Sequence, residues 1–208
     1  MLQNVWVARH GNRYDFVYPE WFLTALRRYD PSLSDDGIVQ AKQLAARLKS
    51  EKITHIFSSP FLRSIQTANE VAEVLNLPIK LEQGLGEWLN PDWMSENPQL
   101  QPRDELTVTY PRIDWDYDSL IIPQYPESET VVINRVGETI FQLMNQHSEH
   151  ILIVGHSITV MGAIIRLLGG DVEIKPSLCS LTKLTKINHQ WQLELNCDIS
   201  HLGGDERV

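Results

Sequence analysis

The chain has 208 residues, 42% hydrophobic and 22% charged, the make-up of an ordinary globular protein with length for one domain and its insertions. A net charge of −9, from 18 basic against 27 acidic residues, speaks against general nucleic-acid binding, yet leaves room for a small anion held by a local arginine cluster. No apolar run reaches membrane-spanning length, and the start has no basic segment followed by a signal-length apolar run, so no membrane partner and a cytoplasmic location are expected.

The first apolar run, Val5 to Ala8, is short and valine-rich and predicts a buried strand. Ser34-Asp35-Asp36 then places cap-forming residues ahead of a helical pattern through Ile38, Ala41, Leu44, Ala45 and Leu48. Ile53 to Phe57 predicts a second strand. Pro60 is expected in the first turn of a helix whose apolar positions are Leu62, Ile65, Ala68, Val71, Ala72 and Leu75. Ile79-Lys80-Leu81 forms a short third strand. Residues 84–128 lose this periodicity and hold six of the eleven prolines and three of the six tryptophans, which marks a long ordered insertion. Helix resumes from Glu129 to His147, a fourth strand covers Ile151 to Val154, and a helix runs from Gly155-His156-Ser157 to Leu168. Residues 178–196 read as two strands around Asn188-His189, and the end from Ser200 as loose.

Strands alternating with helices imply an α/β fold with a mostly parallel sheet. Arg9-His10-Gly11 directly follows the first strand, Ser58-Ser59-Pro60 the second and Gly155-His156-Ser157 the fourth. Ligands in open α/β sheets bind beyond the carboxyl ends of the strands. Three polar motifs that are far apart in the chain therefore fall on one edge.

These motifs resemble those of the histidine phosphatase superfamily, also called phosphoglycerate mutase-like. Arg9-His10-Gly11 with Arg13 resembles its first signature, and Ser58 to Ala68, with Arg63 one turn into a helix, its second. Gly84-Leu85-Gly86-Glu87-Trp88 is similar to the segment that carries the family's acid, and Ile153 to Ser157 to the segment with its second histidine. The resemblance implies a three-layer α/β/α fold spanning residues 1–208 as one domain, with insertions at about 14–33 and 84–128, the longer lying over the active site. It implies phosphomonoester hydrolysis of the histidine acid phosphatase type through a phosphohistidine on His10, with no cofactor. The continuation into Asn12-Arg13-Tyr14-Asp15 resembles the suppressor-of-T-cell-signalling and ecdysteroid-phosphate phosphatases more than the mutases.

The chemistry agrees. A neutral imidazole attacks phosphorus without bringing a second negative charge beside the phosphate, and splits one hard step in two. Charge on the equatorial oxygens needs fixed donors, which planar, permanently charged guanidinium groups supply. Arg9, Arg13 and Arg63 are assigned to the phosphate, with His156, charged or donating, as a further donor. Glu87 is assigned as the acid that protonates the leaving alcohol and then activates water. Phe16, Tyr18, Trp21, Phe22, Trp88, Trp93 and Trp115 are candidates to wall an apolar leaving-group pocket, or else pack the insertions. Asp114, Asp116 and Asp118 either reach its mouth or face water.

Two alternatives remain open at this level: a phosphoglycerate mutase-type phosphotransferase, and a catalytically idle phosphate-binding module. Ser157 lacks the glycine two residues on that a nucleophile elbow requires, Thr159 standing there. Cys179 and Cys197 suit structural thiols. His147 and His150 suit a helix end better than a metal site, and no metal is assigned. A small phosphomonoester or phosphate ion is the expected partner, and a homodimer is compatible with the chain.

Overall fold

In a computed structural model, residues 3–147, 150–169 and 172–203 are described. In chain order, strand β1 covers Gln3–Arg9; two single-turn helices follow, α1 (Tyr14–Val17) and α2 (Trp21–Thr24); then α3 (Asp35–Leu48), β2 (His55–Ser58), α4 (Leu62–Leu75) and β3 (Ile79–Leu81). A short turn of 3-10 helix at Gln83–Leu85 opens the long insertion, which holds α5 (Arg103–Thr109). The chain then forms α6 (Glu129–Gln146), β4 (Ile151–Gly155), α7 (Ser157–Leu168), β5 (Leu181–Ile187) and β6 (Gln190–Asp198).

The six strands lie in the order β3-β2-β4-β1-β5-β6. The first four of that order are mutually parallel, and β5 and β6 are added antiparallel. Period-2 alternation sorts the central side chains. Val5, Val7, Phe57, Ile151 and Ile153 face α6 and α7, packing with Val132, Val136, Ile140, Val160 and Ile164. Trp6, Ala8, Ile56, Leu152 and Val154 face α3 and α4, packing with Leu44, Leu48, Ala68 and Val71. A sheet apolar on both sides needs helices on both, so the layering follows from the run of buried residues.

Local signals account for the element ends. The Ser34 hydroxyl accepts from the Gly37 N–H and the Ser128 hydroxyl from that of Val131, capping α3 and α6. Asn188 and His189 both adopt positive φ, 49° and 68°, which matches a two-residue hairpin turn between β5 and β6.

Two expectations change. Pro60 lies ahead of α4 rather than in its first turn. The helix begins at Leu62, and the Leu62 N–H is capped by the Asp30 carboxylate at 2.7 Å. The segment from Ser200 is anchored at first: His201 meets the Cys179 carbonyl at 3.1 Å and Leu202 packs on the α3/α4 core. Residues 204–208, the rest of that segment, lie outside the described residues.

Candidate active site

Three strand ends converge as the topology requires. His10 follows β1, its N–H bonded to the Gly155 carbonyl at 2.9 Å and its carbonyl accepting from Cys179 at 3.0 Å. The turn after it sits tightly on α3. A Cβ on Gly37 would lie 2.1 Å from the Asn12 carbonyl oxygen, and one on Gly11 2.6 Å from that of Gly37, so the two glycines permit the approach that seats His10.

The His10 ring is buried, and its Nδ1 donates to the Gly11 carbonyl at 2.7 Å. This leaves the lone pair on Nε2, which receives the Arg63 Nε–H at 3.3 Å. Burial, followed by the charge of Arg63, holds the His10 pKa well below the usual histidine value, so the ring is neutral. The His156 ring lies with its centroid 5.3 Å from that of His10. Its pKa is lowered to about 4 by burial first, with Arg63 adding to this and Glu87 opposing. His156 is therefore neutral, and of the two roles expected, charged or donating, it is left with that of a neutral donor.

Glu87 indicates which nitrogen of His156 carries the proton. Its carboxylate can only accept, and Oε2 lies 3.2 Å from His156 Nδ1, which places the imidazole proton there. Nε2 is then left to accept from the Ser59 hydroxyl at 2.8 Å, while the Ser59 oxygen accepts from the Phe61 N–H. Burial would raise the Glu87 pKa. The neighbouring His156, with its hydrogen bond, and Arg63 at 3.2 Å outweigh that and hold the carboxyl ionised, well below its ordinary value.

Arg63, the second residue of α4, is at the centre. Burial lowers its pKa to about 10, which leaves it charged. Its Nη1 and the Nε of Arg9 are buried N–H groups without an acceptor among the described residues, and both residues line the same cavity. Such donors in a cavity wall are what an anion would satisfy. Arg9 is held by Nη1 on the Pro176 carbonyl at 2.7 Å. Arg13 reaches the cavity too, but differently from the other arginines. Its Nε and Nη2 are taken by the two carboxylate oxygens of Asp15 at 2.9 and 2.6 Å, and its guanidinium lies 4.3 Å from the Phe16 ring centroid.

Glu87 owes its place to a buried pair absent from the sequence reading. Arg135 on α6 forms two 2.7 Å bonds with Glu127 and donates to the carbonyls of Gly84, Gly86 and Glu87. A signal for it existed: Arg135 stands among Val132, Val136 and Ile140 on the core-facing stripe of its helix, where an unpaired charge is costly. Asp30 was missed as well; beyond capping α4 it accepts from Gln101 at 3.2 Å and joins the two insertions beside Arg63.

The cavity has a volume of about 330 Å³, small for a ligand site, and Phe22, Tyr29, Trp93 and Met94 wall it. Of the aromatic candidates, Phe22 and Trp93 thus reach it. Phe16 lies beside Arg13, Tyr18 packs on Tyr14, Trp21 meets Tyr14, and Trp88 packs against the core and Trp93. Trp115, with Asp114 and Asp118, lines a separate cavity of about 370 Å³. Those carboxylates therefore lie away from the anion site.

Among the described residues, His10, Glu87 and His156 are the one cluster whose ligand atoms fall close enough for a metal, within 4.8 Å of one another. Arg63 lies within 3.4 Å of all three, and a guanidinium in that position opposes a cation and favours an anion. Cys179 is buried, its thiol raised to about 12 by that burial, which fits an inert core residue.

The family model for the histidine phosphatase superfamily, branch 1, matches residues 5–199. The chain belongs to that superfamily. It is 28% identical to the ecdysteroid-phosphate phosphatase of Drosophila melanogaster over 92% of its own length and 31% of that protein. It spans about a third to a half of the length of the first curated relatives it matches. Among solved structures, the ecdysone phosphate phosphatase of Bombix mori in complex with tungstate aligns with a TM-score of 0.76 at 19% identity, covering 99% of this chain and 97% of the other. The phosphoglycerate mutase of Bacillus anthracis str. Sterne aligns with a TM-score of 0.66 at 18% identity, over 96% and 95%. The fold of this histidine phosphatase superfamily member is therefore the phosphoglycerate mutase-like α/β arrangement, with the candidate site at the carboxyl ends of β1, β2 and β4.

Proposed function

We propose that this chain hydrolyses phosphomonoesters, in the manner of the histidine acid phosphatases, through a phosphohistidine on Nε2 of His10. The observation that supports this best is the state of that nitrogen. It is neutral, its proton is held on the opposite ring atom by Gly11, and it lies 3.3 Å from the Nε of Arg63, which with Arg9 lines a cavity and carries an N–H without a partner among the described residues. The phosphatase named among the relatives and the tungstate complex of a structural neighbour point the same way.

In the proposed cycle, the phosphate oxygens lie against Arg9, Arg63, Arg13 and the Nδ1–H of His156. The dianion sets its negative charge beside Glu87 and offsets the cations that keep this carboxyl ionised, so Glu87 takes up a proton as substrate binds. The His10 Nε2 lone pair forms a bond to phosphorus as the ester P–O bond breaks, and the Glu87 proton passes to the departing alkoxide. In the second half Glu87, now a carboxylate, accepts a proton from water as its oxygen attacks phosphorus. The P–N bond breaks, and inorganic phosphate and free His10 remain.

Rapid quench with a phosphorus-labelled monoester tests this reading. Label should be trapped on protein in an acid-labile, base-stable bond, and be lost in His10→Ala. A mutase would transfer label to an added hydroxy acid in place of releasing inorganic phosphate, and an idle binding module would leave the substrate intact.

A further inference from the structure

The cavity lined by Arg9, Arg13, Arg63 and Glu87 carries one cation more than its proposed phosphate chemistry needs. Arg28 lines it from the first insertion, on a loop whose other members are tied down. Arg27 pairs with Glu105 at 3.1 Å, the Tyr29 hydroxyl bonds Ser95, and Asp30 accepts from Leu62 and Gln101. The backbone at Arg28 is thus held from both sides. Its own side chain is exposed, and its guanidinium lies 5.8 Å from the Phe22 ring centroid. Among the described residues it has no carboxylate within ion-pair distance, whereas Arg13 has Asp15 and Arg63 has Glu87.

Position and surroundings give this group a use. The proposed phosphate contacts take up Arg9, Arg13 and Arg63. The same cavity is lined by Phe22, Tyr29, Trp93 and Met94, and the enclosed volume is about 330 Å³. That space suits a leaving group with a flat ring of modest size. A planar guanidinium at the rim matches a planar carboxylate.

We propose that Arg28 is a substrate-recognition residue, and that the preferred substrate is a small aromatic phosphomonoester carrying a carboxylate on the side of the ring away from the phosphate. This rests on the phosphatase reading and extends it to a substrate class. The carboxylate would pair with Arg28 while the ring lies against Phe22 and Trp93 and the phosphate reaches His10. The chain's overall negative charge would repel such a polyanion in bulk, so selection falls to the local cations of the cavity.

The experiment compares kcat/KM for 4-carboxyphenyl phosphate and its neutral methyl ester, in the parent protein, Arg28→Gln and Arg28→Glu. Because the two phenols differ as leaving groups, the ratio is read relative to the parent: Arg28→Gln should lower the acid-to-ester ratio by about fivefold, as for one exposed ion pair. Arg28→Glu should lower it further, and raised salt should lower the parent's ratio. An acid-to-ester ratio equal in all three proteins overturns the role of Arg28 while leaving the phosphatase reading intact. Absence of hydrolysis of both esters by the parent overturns that reading, and the proposal with it.

Discussion

Arg135 and Glu127 face each other as a buried pair, Nε to Oε1 and Nη2 to Oε2, both at 2.7 Å. The outward edge of the guanidinium then gathers the carbonyls of Gly84, Gly86 and Glu87, while Glu127 accepts the Leu89 N–H at 3.2 Å. One ion pair therefore shapes the loop that presents the candidate acid. Arg135→Met should cost about 3–5 kcal/mol of stability, since Glu127 would be left buried and unpaired. Arg135→Met with Glu127→Gln should recover part of that loss. If the loop geometry matters to the acid, both variants should lose more turnover on alkyl than on activated aryl phosphates; equal loss on the two classes would assign the pair to stability alone.

Glu87→Gln separates the acid from the anion site. Turnover of alkyl phosphates should fall by roughly 10²–10⁴-fold, the range for a general acid, while an activated aryl phosphate, whose leaving group needs no proton, should be little affected. Steady-state kinetics across a series of leaving-group pKa values would give a steeper dependence in the variant. Identical slopes would remove Glu87 from the acid role.

Activity should rise towards acidic pH. Glu87 is ionised in the free protein and must gain a proton to act, whereas His10 stays neutral to well below the ordinary histidine range. The acid limb for alkyl phosphates should flatten in Glu87→Gln. A parent profile that climbs through alkaline pH would contradict this assignment.

Stability should move the opposite way. His10 and His156 have folded pKa values below the unfolded value of about 6.5, with His156 at about 4, so the unfolded chain binds more protons across that window. Stability is then lost as pH falls from about 6.5 towards about 4. Glu87, depressed in the folded state, adds a further loss below about pH 4.3, where the unfolded carboxyl protonates. Thermal melting of the parent and of His156→Asn should show the shallower decline in the variant; parallel curves would refute it.

Ser59→Ala removes the hydroxyl that donates to His156 Nε2. Turnover should drop by about tenfold, the worth of one hydrogen bond of ~1.4 kcal/mol, with substrate binding less affected. Ser59→Thr, which restores a hydroxyl, should recover most of it.

The convergence of the site was legible without coordinates. Polar triplets directly after valine- and isoleucine-rich strands have only one edge of a parallel sheet to occupy, so His10, Ser59 and His156 had to meet. Arg63 was legible too, one helical turn beyond a strand end. These are local patterns, each contained within a few residues, and the covalent chain carries them directly. The tautomer of His156, the charge state of Glu87 and the clamp by Arg135 depend on partners up to 97 residues away, and so does the sorting of the aromatic residues between two cavities. Electrostatic and hydrogen-bonding terms at such range act only between groups that packing has already desolvated and brought within a few ångströms. Periodicity along the chain says which residues are buried; it does not say against what. Tertiary structure alone decided that Asp15 would engage Arg13, that Asp30 would cap α4, and that Arg28 would be left with an open charge at the rim.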